Sequence, residues 1–337
     1  MRILLTSILC HSGLMTHVLD LINFLKNREI YVGAAFKRVN FLRQDQEAKI
    51  LEKLAGIPCC QYDDLEELKR FTAEHKFTLI HAHSHATFRS AAETAEHFKL
   101  PLIVTLHSVY AWNLAFGGPL RQANRIIAVG RAQAEAASRY QDKITIIENG
   151  IDLTRFVPDF NLLDQAPADG KINVLWYGRV DGPLARGIRK LDRSAAQLLP
   201  AVQIRALGSA GYPIRNIPQL GWTDDPVPYL QKSHITLATS RALREAMACG
   251  SVGILIGKGY GGVITEEYFN QDYPVLDAFP QYRLPRVSID QINNDLMQLI
   301  KGDLSELRRQ ARAIAEQYFD LNLMGEKILA IYQEIAG

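Results

Sequence analysis

The chain has 337 residues, more than one typical core accommodates, and this length predicts two domains of ordinary size. Hydrophobic residues make up 47% of the chain and charged residues 22%, which excludes a disordered or fibrous protein. The formal net charge of +2 provides no general field for a polyanion, so nucleic acid is not expected as a partner.

The amino-terminal stretch MRILLTSILC predicts a buried strand and not a leader, because polar residues follow at once without a small-residue cleavage site. No apolar run reaches the roughly 18 to 20 residues that span a bilayer. The four cysteines lack metal-ligand spacing, which favours a reducing cytoplasm. Residues 35–49 mix cations with Phe and Leu, so a weak association with the inner membrane face stays open beside a solvated loop.

Short apolar runs alternate with amphipathic stretches along the chain, a pattern that predicts parallel βαβ units and an α/β fold. The first series forms one doubly wound domain over residues 1–153. Residues 151–170 are rich in proline and aspartate, as an interdomain linker would be, and a second series over residues 154–312 repeats the architecture. The amphipathic residues 313–337 predict a terminal helix whose apolar stripe packs across both domains.

Ser12 and Gly13 lie between the first strand and the first helix, where a glycine lets a ligand approach and the helix amino end favours anions. The alternative is that Gly13 only makes a turn. His107 follows the apolar run VTL, at the strand end where open α/β sheets present ligand-contacting residues. It is therefore a candidate hydrogen-bond partner or proton carrier.

The stretch HAHSHA places His81, His83 and His85 on one face if the strand continues through it, because strand side chains alternate. A metal site is one interpretation of this spacing. No acidic or cysteine ligand stands nearby, and histidines pointing into an interdomain cleft explain the pattern equally well. We therefore expect no metal.

Arg179 and Arg186 stand in the strand–loop–helix unit WYGRVDGPLARGIRKL, which suits a diphosphate because guanidinium groups match phosphate oxygens. The alternative is a solvated basic loop. Further on, VGILIGKGYGG fits the dinucleotide fingerprint G-x-G-x-x-G after a strand, with Asp277 at a suitable distance. The segment that follows is short for the helix the fingerprint requires, although the loop itself can still hold phosphates.

Eight segments resemble, in order, the retaining family-4 glycosyltransferases with the GT-B fold of two Rossmann-like domains facing across a cleft. They cover nearly the whole chain and are SGLMTHVLDL, HAHS, VTLHS, IIAVGRAQAE, IIENGIDLTRF, YGRV, GWTDDPVPYLQKSHITL and EAMACG. The resemblance implies transfer of a sugar from a nucleoside-diphosphate donor to a hydroxyl acceptor, with retained anomeric configuration. It also implies that the terminal helix returns to the first domain and that the acceptor, a glycan, glycolipid or small molecule, binds mainly there.

The resemblance assigns roles to individual residues of the site. Glu245 would hold the donor ribose hydroxyls, since a carboxylate accepts two hydrogen bonds from a vicinal diol. Arg179 and Arg186 would stabilise the departing diphosphate, and His107 would contact the donor sugar near the reacting centre. The remaining donor-binding candidates are Ser12, Gly13, Ser240, Arg241, Gly259 and Gly261, with Trp222 and Thr223 at the base. No Asp-x-Asp motif is present, and no cofactor or metal is implied.

The sequence departs from the family pattern at the position eight residues before Glu245, where Leu237 replaces a glutamate. The usual glycine-rich loop is shortened, so that a strand leads at once into a helix at Ser240 and Arg241. This favours an adapted sugar pocket in a working enzyme. The alternatives are a non-catalytic sugar-nucleotide or glycan-binding relative and a nicotinamide-dependent oxidoreductase.

Overall fold

The computed structural model divides the chain into two units, Met1–Gly150 with Leu321–Gly337, and Ile151–Asp320. It describes residues 1–10, 12–39, 42–163, 170–198, 202–208, 211, 213–271, 274–278 and 282–336. Residues 40 and 41 of the basic stretch and residues 164–169 of the predicted linker lie outside this description.

The first unit is built on a parallel sheet of seven strands in the order β3-β2-β1-β4-β5-β6-β7. Its strands are β1 (Arg2–Ile8), β2 (Tyr31–Lys37), β3 (Cys59–Tyr62), β4 (Leu79–Ala82), β5 (Leu102–Leu106), β6 (Arg125–Ala128) and β7 (Ile144–Ile146). Its first seven helices are α1 (Gly13–Asn27), α2 (Gln44–Glu52), α3 (Leu65–Glu74), α4 (Phe88–Phe98), α5 (Trp112–Ala115), α6 (Gly117–Gln122) and α7 (Arg131–Ala136). The alternation of strand and helix confirms the predicted βαβ pattern.

The second unit has a six-stranded sheet in the order β10-β9-β8-β11-β12-β13, parallel except for β13. Its strands are β8 (Ile172–Tyr177), β9 (Val202–Leu207), β10 (Gln219–Gly221), β11 (Ile235–Ala238), β12 (Val252–Ile256) and β13 (Tyr260–Val263). Its helices are α8 (Phe160–Leu163), α9 (Ala185–Leu198), α10 (Val227–Lys232), α11 (Ser240–Ala248), α12 (Ile289–Lys301) and α13 (Leu304–Tyr318).

The amphipathic end of the chain forms two helices where one was expected. α13 belongs to the second unit, and the last helix, α14 (Leu321–Ala336), belongs to the first. The chain turns between them because Phe319 is buried in the core of the second unit, where its carbonyl accepts a hydrogen bond from the amide of Ile151. α14 packs so tightly on α1 that a Cβ on Gly325 would lie 2.5 Å from the Phe24 ring. The return of the terminal helix to the first unit is confirmed.

Burial follows the sequence patterns that predicted the elements. The apolar residues of α1 recur every three or four positions, and Met15, Val18, Leu21 and Leu25 are buried in the core that α14 also enters. Each sheet has a hydrophobic core on both faces, as a parallel sheet requires. Within the described residues, no helix combines the length and apolarity that a membrane span needs.

His234 makes the stability of the second unit depend on pH. Its Nδ1 accepts a hydrogen bond from the amide of Asn173 at 3.0 Å, and burial, assisted by the charge of Arg308, lowers its pKa to about 4. The unfolded chain therefore binds the proton first, near pH 6.5, and stability falls as the pH drops from there toward 4.

We expect the free energy of unfolding of the second unit to fall by roughly 2 kcal/mol between pH 7 and pH 4 through His234, after discounting for solvent screening. Denaturant unfolding at a series of pH values measures this. In His234→Asn the acid-dependent loss should shrink by that amount, with His97→Asn, on the surface of the first unit, as control. An identical pH profile in wild type and His234→Asn would contradict the assignment.

Candidate functional site

Both sheets have a point at which the direction of winding reverses, and the candidate residues cluster there. In the first unit the chain winds outward from β1 to β3 and then returns to β4 beside β1. In the second it winds from β8 to β10 and returns to β11 beside β8. Open α/β sheets bind ligands at the carboxyl ends of the strands at such points.

Three histidines converge at the reversal point of the first unit. His17 comes from α1, His83 follows β4, and His107 follows β5. His83 Nδ1 lies 3.4 Å from His107 Nε2, and the ring centroid of His17 lies 4.7 Å from that of His107 and 5.3 Å from that of His83. His17 and His83 are buried and His107 is partly buried, so the cluster has one face open toward solvent.

Burial sets the charge of this cluster. It lowers the pKa of His83 and of His107 well below the usual value for histidine, and the neighbouring imidazoles lower both further. Both rings are therefore neutral at pH 7. A neutral imidazole offers one hydrogen-bond donor and one acceptor, which suits contact with sugar hydroxyl groups.

The common face predicted for His81, His83 and His85 is correct for the first two, whose ring centroids lie 4.0 Å apart. It is wrong for His85, because β4 ends at Ala82 and the alternation of the strand does not extend that far. His81 is structural: its Nδ1 contacts the hydroxyl of Tyr332 and its Nε2 that of Thr105, both at 2.6 Å. His85 is exposed, and its ring packs against Tyr110. Only His83 of the three reaches the cluster.

Ser12 and Gly13 lie at the amino end of α1, about one helical turn before His17. Ser12 is the N-cap residue and contacts Cys10 Sγ through its Oγ at 3.0 Å. Gly13 is exposed, and a Cβ built on it would have no neighbour within 4 Å among the described residues. Packing does not require this glycine, which favours the prediction that it leaves room for a ligand.

We expect Gly13→Val to leave the free energy of unfolding within about 0.5 kcal/mol of wild type, since the side chain projects into open space. If a diphosphate approaches the helix end, the same variant should lose about tenfold or more of its transfer rate. Gly259→Val is the contrasting variant, because its Cβ would lie 2.5 Å from Leu284 and destabilise the fold. A fully active, stable Gly13→Val protein would show that nothing binds closely there.

The reversal point of the second unit carries a buried carboxylate, Glu245, on α11. The hydroxyl of Tyr177, the last residue of β8, donates to Glu245 Oε2 at 2.7 Å. Arg241, one turn earlier on α11, donates from Nε to Oε1 at 2.7 Å, and the two side chains of this ion pair are only 13% and 9% exposed. Burial and the adjacent carboxylate raise the pKa of Tyr177 far above its usual range, so its hydroxyl remains a donor.

A single residue joins strand β11 to helix α11 before Glu245, in place of the glycine-rich loop of the family pattern. β11 ends at Ala238 and α11 begins at Ser240. Ser240 has φ +59°, a left-handed conformation that is uncommon for a residue with a side chain. Its amide donates to the carbonyl of Leu276 at 2.7 Å, while Leu237, at the position of the missing glutamate, is fully buried in β11.

The two arginines predicted to bind phosphate are both exposed. Arg179 follows β8 and its Nε lies 3.7 Å from Asp181, a weak pairing between exposed groups. Arg186 lies near the start of α9 in a surface groove. Five cationic residues line this groove: Arg186, Arg189, Lys190, Arg193 and Lys258. Glu245 does not line it within the described part of the chain, and the diphosphate role of Arg186 stays a prediction.

Of the glycines of GKGYGG, Gly257 and Gly259 form the turn between β12 and β13, which run antiparallel, and the other two lie in β13. The dinucleotide fingerprint requires a helix at this place, so that alternative is wrong. Close packing explains why glycine occupies two of these positions. A Cβ on Gly259 would meet Leu284, and one on Gly261 would meet Leu255, each at 2.5 Å. Their donor-binding role stays a prediction.

Trp222 and Thr223 follow β10 at the edge of the second sheet. Trp222 is 65% exposed, so its ring is available to stack on a flat ligand. The hydroxyl of Thr223 accepts a hydrogen bond from the amide of Asp225 and shapes the turn. Base binding by this pair stays a prediction.

Two members of the clusters were missed from the sequence, His17 and Tyr177. His17 lies within the apolar stripe of α1 and Tyr177 ends an apolar strand, and both positions are typical of core residues. A polar residue on an otherwise buried face was the available signal for each.

Residues 11–155 match the family described as Glycosyltransferase Family 4. No curated protein matches the chain. Among solved structures, the chain is similar to HepE of Anabaena in complex with UDP and glucose, with 18% identity, a TM-score of 0.72 and 99% of each chain covered. It is also similar to a glycosyltransferase from Rickettsia africae, with 15% identity, a TM-score of 0.75 and coverage of 99% and 98%.

A third similar structure is the lipopolysaccharide outer core galactosyltransferase WaaB, with 14% identity, a TM-score of 0.66 and coverage of 99% and 100%. These similarities extend over both units and concern the fold. They confirm the predicted two-domain α/β fold class, and with the family match they confirm the predicted resemblance to the family-4 glycosyltransferases. The family match supports the predicted enzyme class, a glycosyltransferase.

Proposed function

We propose that this chain, whose first unit carries a family-4 glycosyltransferase domain, is a retaining transferase that moves a sugar from a nucleoside-diphosphate donor to a hydroxyl acceptor. The observation that carries the proposal is Glu245, a buried carboxylate at the reversal point of the second sheet. Such a group is costly to bury and is held by two donors, as expected of a binding residue that must keep one orientation.

Donor binding is assigned to the second unit. A carboxylate has about four acceptor positions, and Tyr177 and Arg241 use one each, so Glu245 retains two for a pair of ribose hydroxyls. Trp222 offers its exposed face to the base. The similar protein HepE of Anabaena forms a complex with UDP and glucose, and uridine diphosphate is therefore the first donor nucleotide to test.

The reaction breaks the bond between the anomeric carbon and the diphosphate oxygen and forms a bond from the same carbon to the acceptor oxygen on the same face. The acceptor proton passes to the departing phosphate. Arg179 and Arg186 stabilise the negative charge of the leaving group, and no metal is needed for this. Neutral His107 holds a sugar hydroxyl near the reacting centre, and the first unit binds the acceptor.

A second candidate is a non-catalytic relative that binds a sugar nucleotide. Two observations favour it: Leu237 replaces a glutamate, and Arg241 already neutralises Glu245. Slow hydrolysis of the donor without acceptor distinguishes the two candidates, because only an enzyme with a competent leaving-group site releases the nucleoside diphosphate.

The decisive experiment is calorimetric titration of the purified chain with a panel of nucleoside diphosphates and one nicotinamide dinucleotide, in the presence of a chelator. The proposal expects selective binding of one nucleoside diphosphate, and turnover of the corresponding sugar nucleotide. Binding of the dinucleotide alone, or of no nucleotide, would overturn it.

A further inference from the structure

The histidine cluster of the first unit has the spacing of a metal site. The nitrogens that His17, His83 and His107 can offer as ligands all lie within 4.8 Å of one another. His83 Nδ1 and His107 Nε2 are 3.4 Å apart. Two imidazole nitrogens bound to one tetrahedral zinc are about 3.3 Å apart, so these two already stand at ligand spacing.

The elements that supply the three rings are fixed. His17 lies in the second turn of α1, between the buried residues Met15 and Val18, while His83 and His107 follow the neighbouring parallel strands β4 and β5. The three nitrogens are at most 4.8 Å apart, and the separation in a tetrahedral zinc site is about 3.3 Å, so a shift of about 1.5 Å brings them to ligand spacing.

His83 gives an independent indication of a ligand. Its side chain is 1% exposed, and its Nε2 has no hydrogen-bond partner within the part of the chain that the structure describes. His81, two residues earlier, shows the contrasting case, with both ring nitrogens bonded to hydroxyl groups. Buried imidazole nitrogens are normally satisfied. The only hydrogen-bonding contact of the His83 ring within the described residues is the 3.4 Å approach of its Nδ1 to His107 Nε2, and a metal ion held by these two nitrogens would give this poorly satisfied ring a strong partner.

We propose that His17, His83 and His107 form a binding site for a divalent transition metal of the zinc class. Three imidazoles without a carboxylate exclude the oxygen-rich sites that Mg²⁺ and Ca²⁺ prefer. Three protein ligands would leave the fourth position of a tetrahedral metal for water or a substrate oxygen. This inference goes beyond the proposed transfer, which needs no metal.

Metal binding at this site has a consequence for the proposed transfer. The metal occupies the nitrogen through which His107 contacts the donor sugar, so zinc should inhibit in competition with the sugar nucleotide. The site itself is tested without any nucleotide, and its failure is therefore distinguishable from failure of the proposed function.

The experiment is titration of the metal-free chain with Co²⁺, followed by the visible absorption of the cobalt and by displacement with Zn²⁺. We expect one metal per chain with the intense band of a four-coordinate site. His17→Gln and His83→Gln should each weaken binding at least about tenfold, because each removes one ligand. His85→Gln is the matched control, a neighbouring histidine outside the cluster, and should bind as wild type does.

Thermal unfolding of each variant accompanies the titration, and only variants with a wild-type melting transition are compared. Should either glutamine variant prove unstable, NMR of the wild-type chain identifies the ligands directly. The imidazole signals of the three histidines are followed during the Co²⁺ titration, and the rings that bind the metal are those whose signals change. The proposal is overturned by no binding. It is equally overturned by binding that persists in both variants and is lost when Cys59 and Cys60 are replaced by serine.

Discussion

Replacement of Glu245 by alanine should weaken nucleoside diphosphate binding about 100-fold or more. The carboxylate is proposed to accept two hydrogen bonds from the ribose, each charge-assisted and worth about 1.5 to 3 kcal/mol. The same change removes the hydrogen bonds that Glu245 accepts from Arg241 and from the Tyr177 hydroxyl. The free energy of unfolding should therefore fall by about 2 to 4 kcal/mol.

Two further variants separate binding from folding. Glu245→Gln keeps the shape and one acceptor oxygen but loses the charge, so it should fold and still bind the nucleotide poorly. Tyr177→Phe removes only the supporting hydroxyl and should cost about 1 kcal/mol of stability, with the nucleotide dissociation constant within a few-fold of wild type. Calorimetry and denaturant unfolding measure both quantities. Normal nucleotide binding by a folded Glu245→Gln protein would remove Glu245 from the donor site.

The architecture could be predicted because each strand and helix is encoded locally. The apolar run of β1 and the three- to four-residue spacing in α1 specify their element types without reference to the rest of the chain. The division of the terminal helices could not be predicted in the same way. The division depends on the burial of Phe319 in the core of the second unit, and the local sequence pattern does not indicate which core a residue enters.

The donor site was predictable only in part. EAMACG located Glu245, on α11, through a resemblance, but its partner Tyr177 lies at the end of strand β8 and is brought near by the pairing of β8 with β11. The histidine cluster shows the same limit, since His17, His83 and His107 meet through tertiary packing. A sequence gives residue types and local spacing, and contacts between distant elements require the fold.

The glycine-rich turn shows how a motif can mislead. G-x-G-x-x-G records where side chains are missing and not why they are missing. Here Leu184 and Leu284 fill the space beside Gly257 and Gly259, and Gly262 has φ +79°, so packing and backbone conformation account for the pattern. Only the element that follows, a strand and not a helix, distinguishes this case from a dinucleotide site.

Replacement of His107 by alanine should lower kcat about 100- to 1000-fold while the dissociation constant of the nucleoside diphosphate stays within about threefold of wild type. The reason is that His107 belongs to the first unit and is proposed to contact only the sugar, where charge develops as the diphosphate departs. The nucleotide itself is assigned to the second unit. Steady-state kinetics with the sugar nucleotide, together with calorimetry using the nucleoside diphosphate, measure the two effects separately.

The control for this prediction is His85→Ala, which removes an exposed imidazole that follows the neighbouring strand β4 and should leave kcat unchanged.

The pH profile provides a second check. Because burial lowers the pKa of His107 well below its usual value, the ring is neutral throughout pH 6 to 8, and kcat should show no histidine titration in that range. A kcat within twofold of wild type in His107→Ala would place the residue outside the reacting centre. A second result would also contradict this account: a kcat of the wild type that rises through pH 6.5, with the rise absent in His107→Ala. It would show that the His107 ring is solvated and titrates normally, so that its role is not hydrogen bonding by a permanently neutral imidazole.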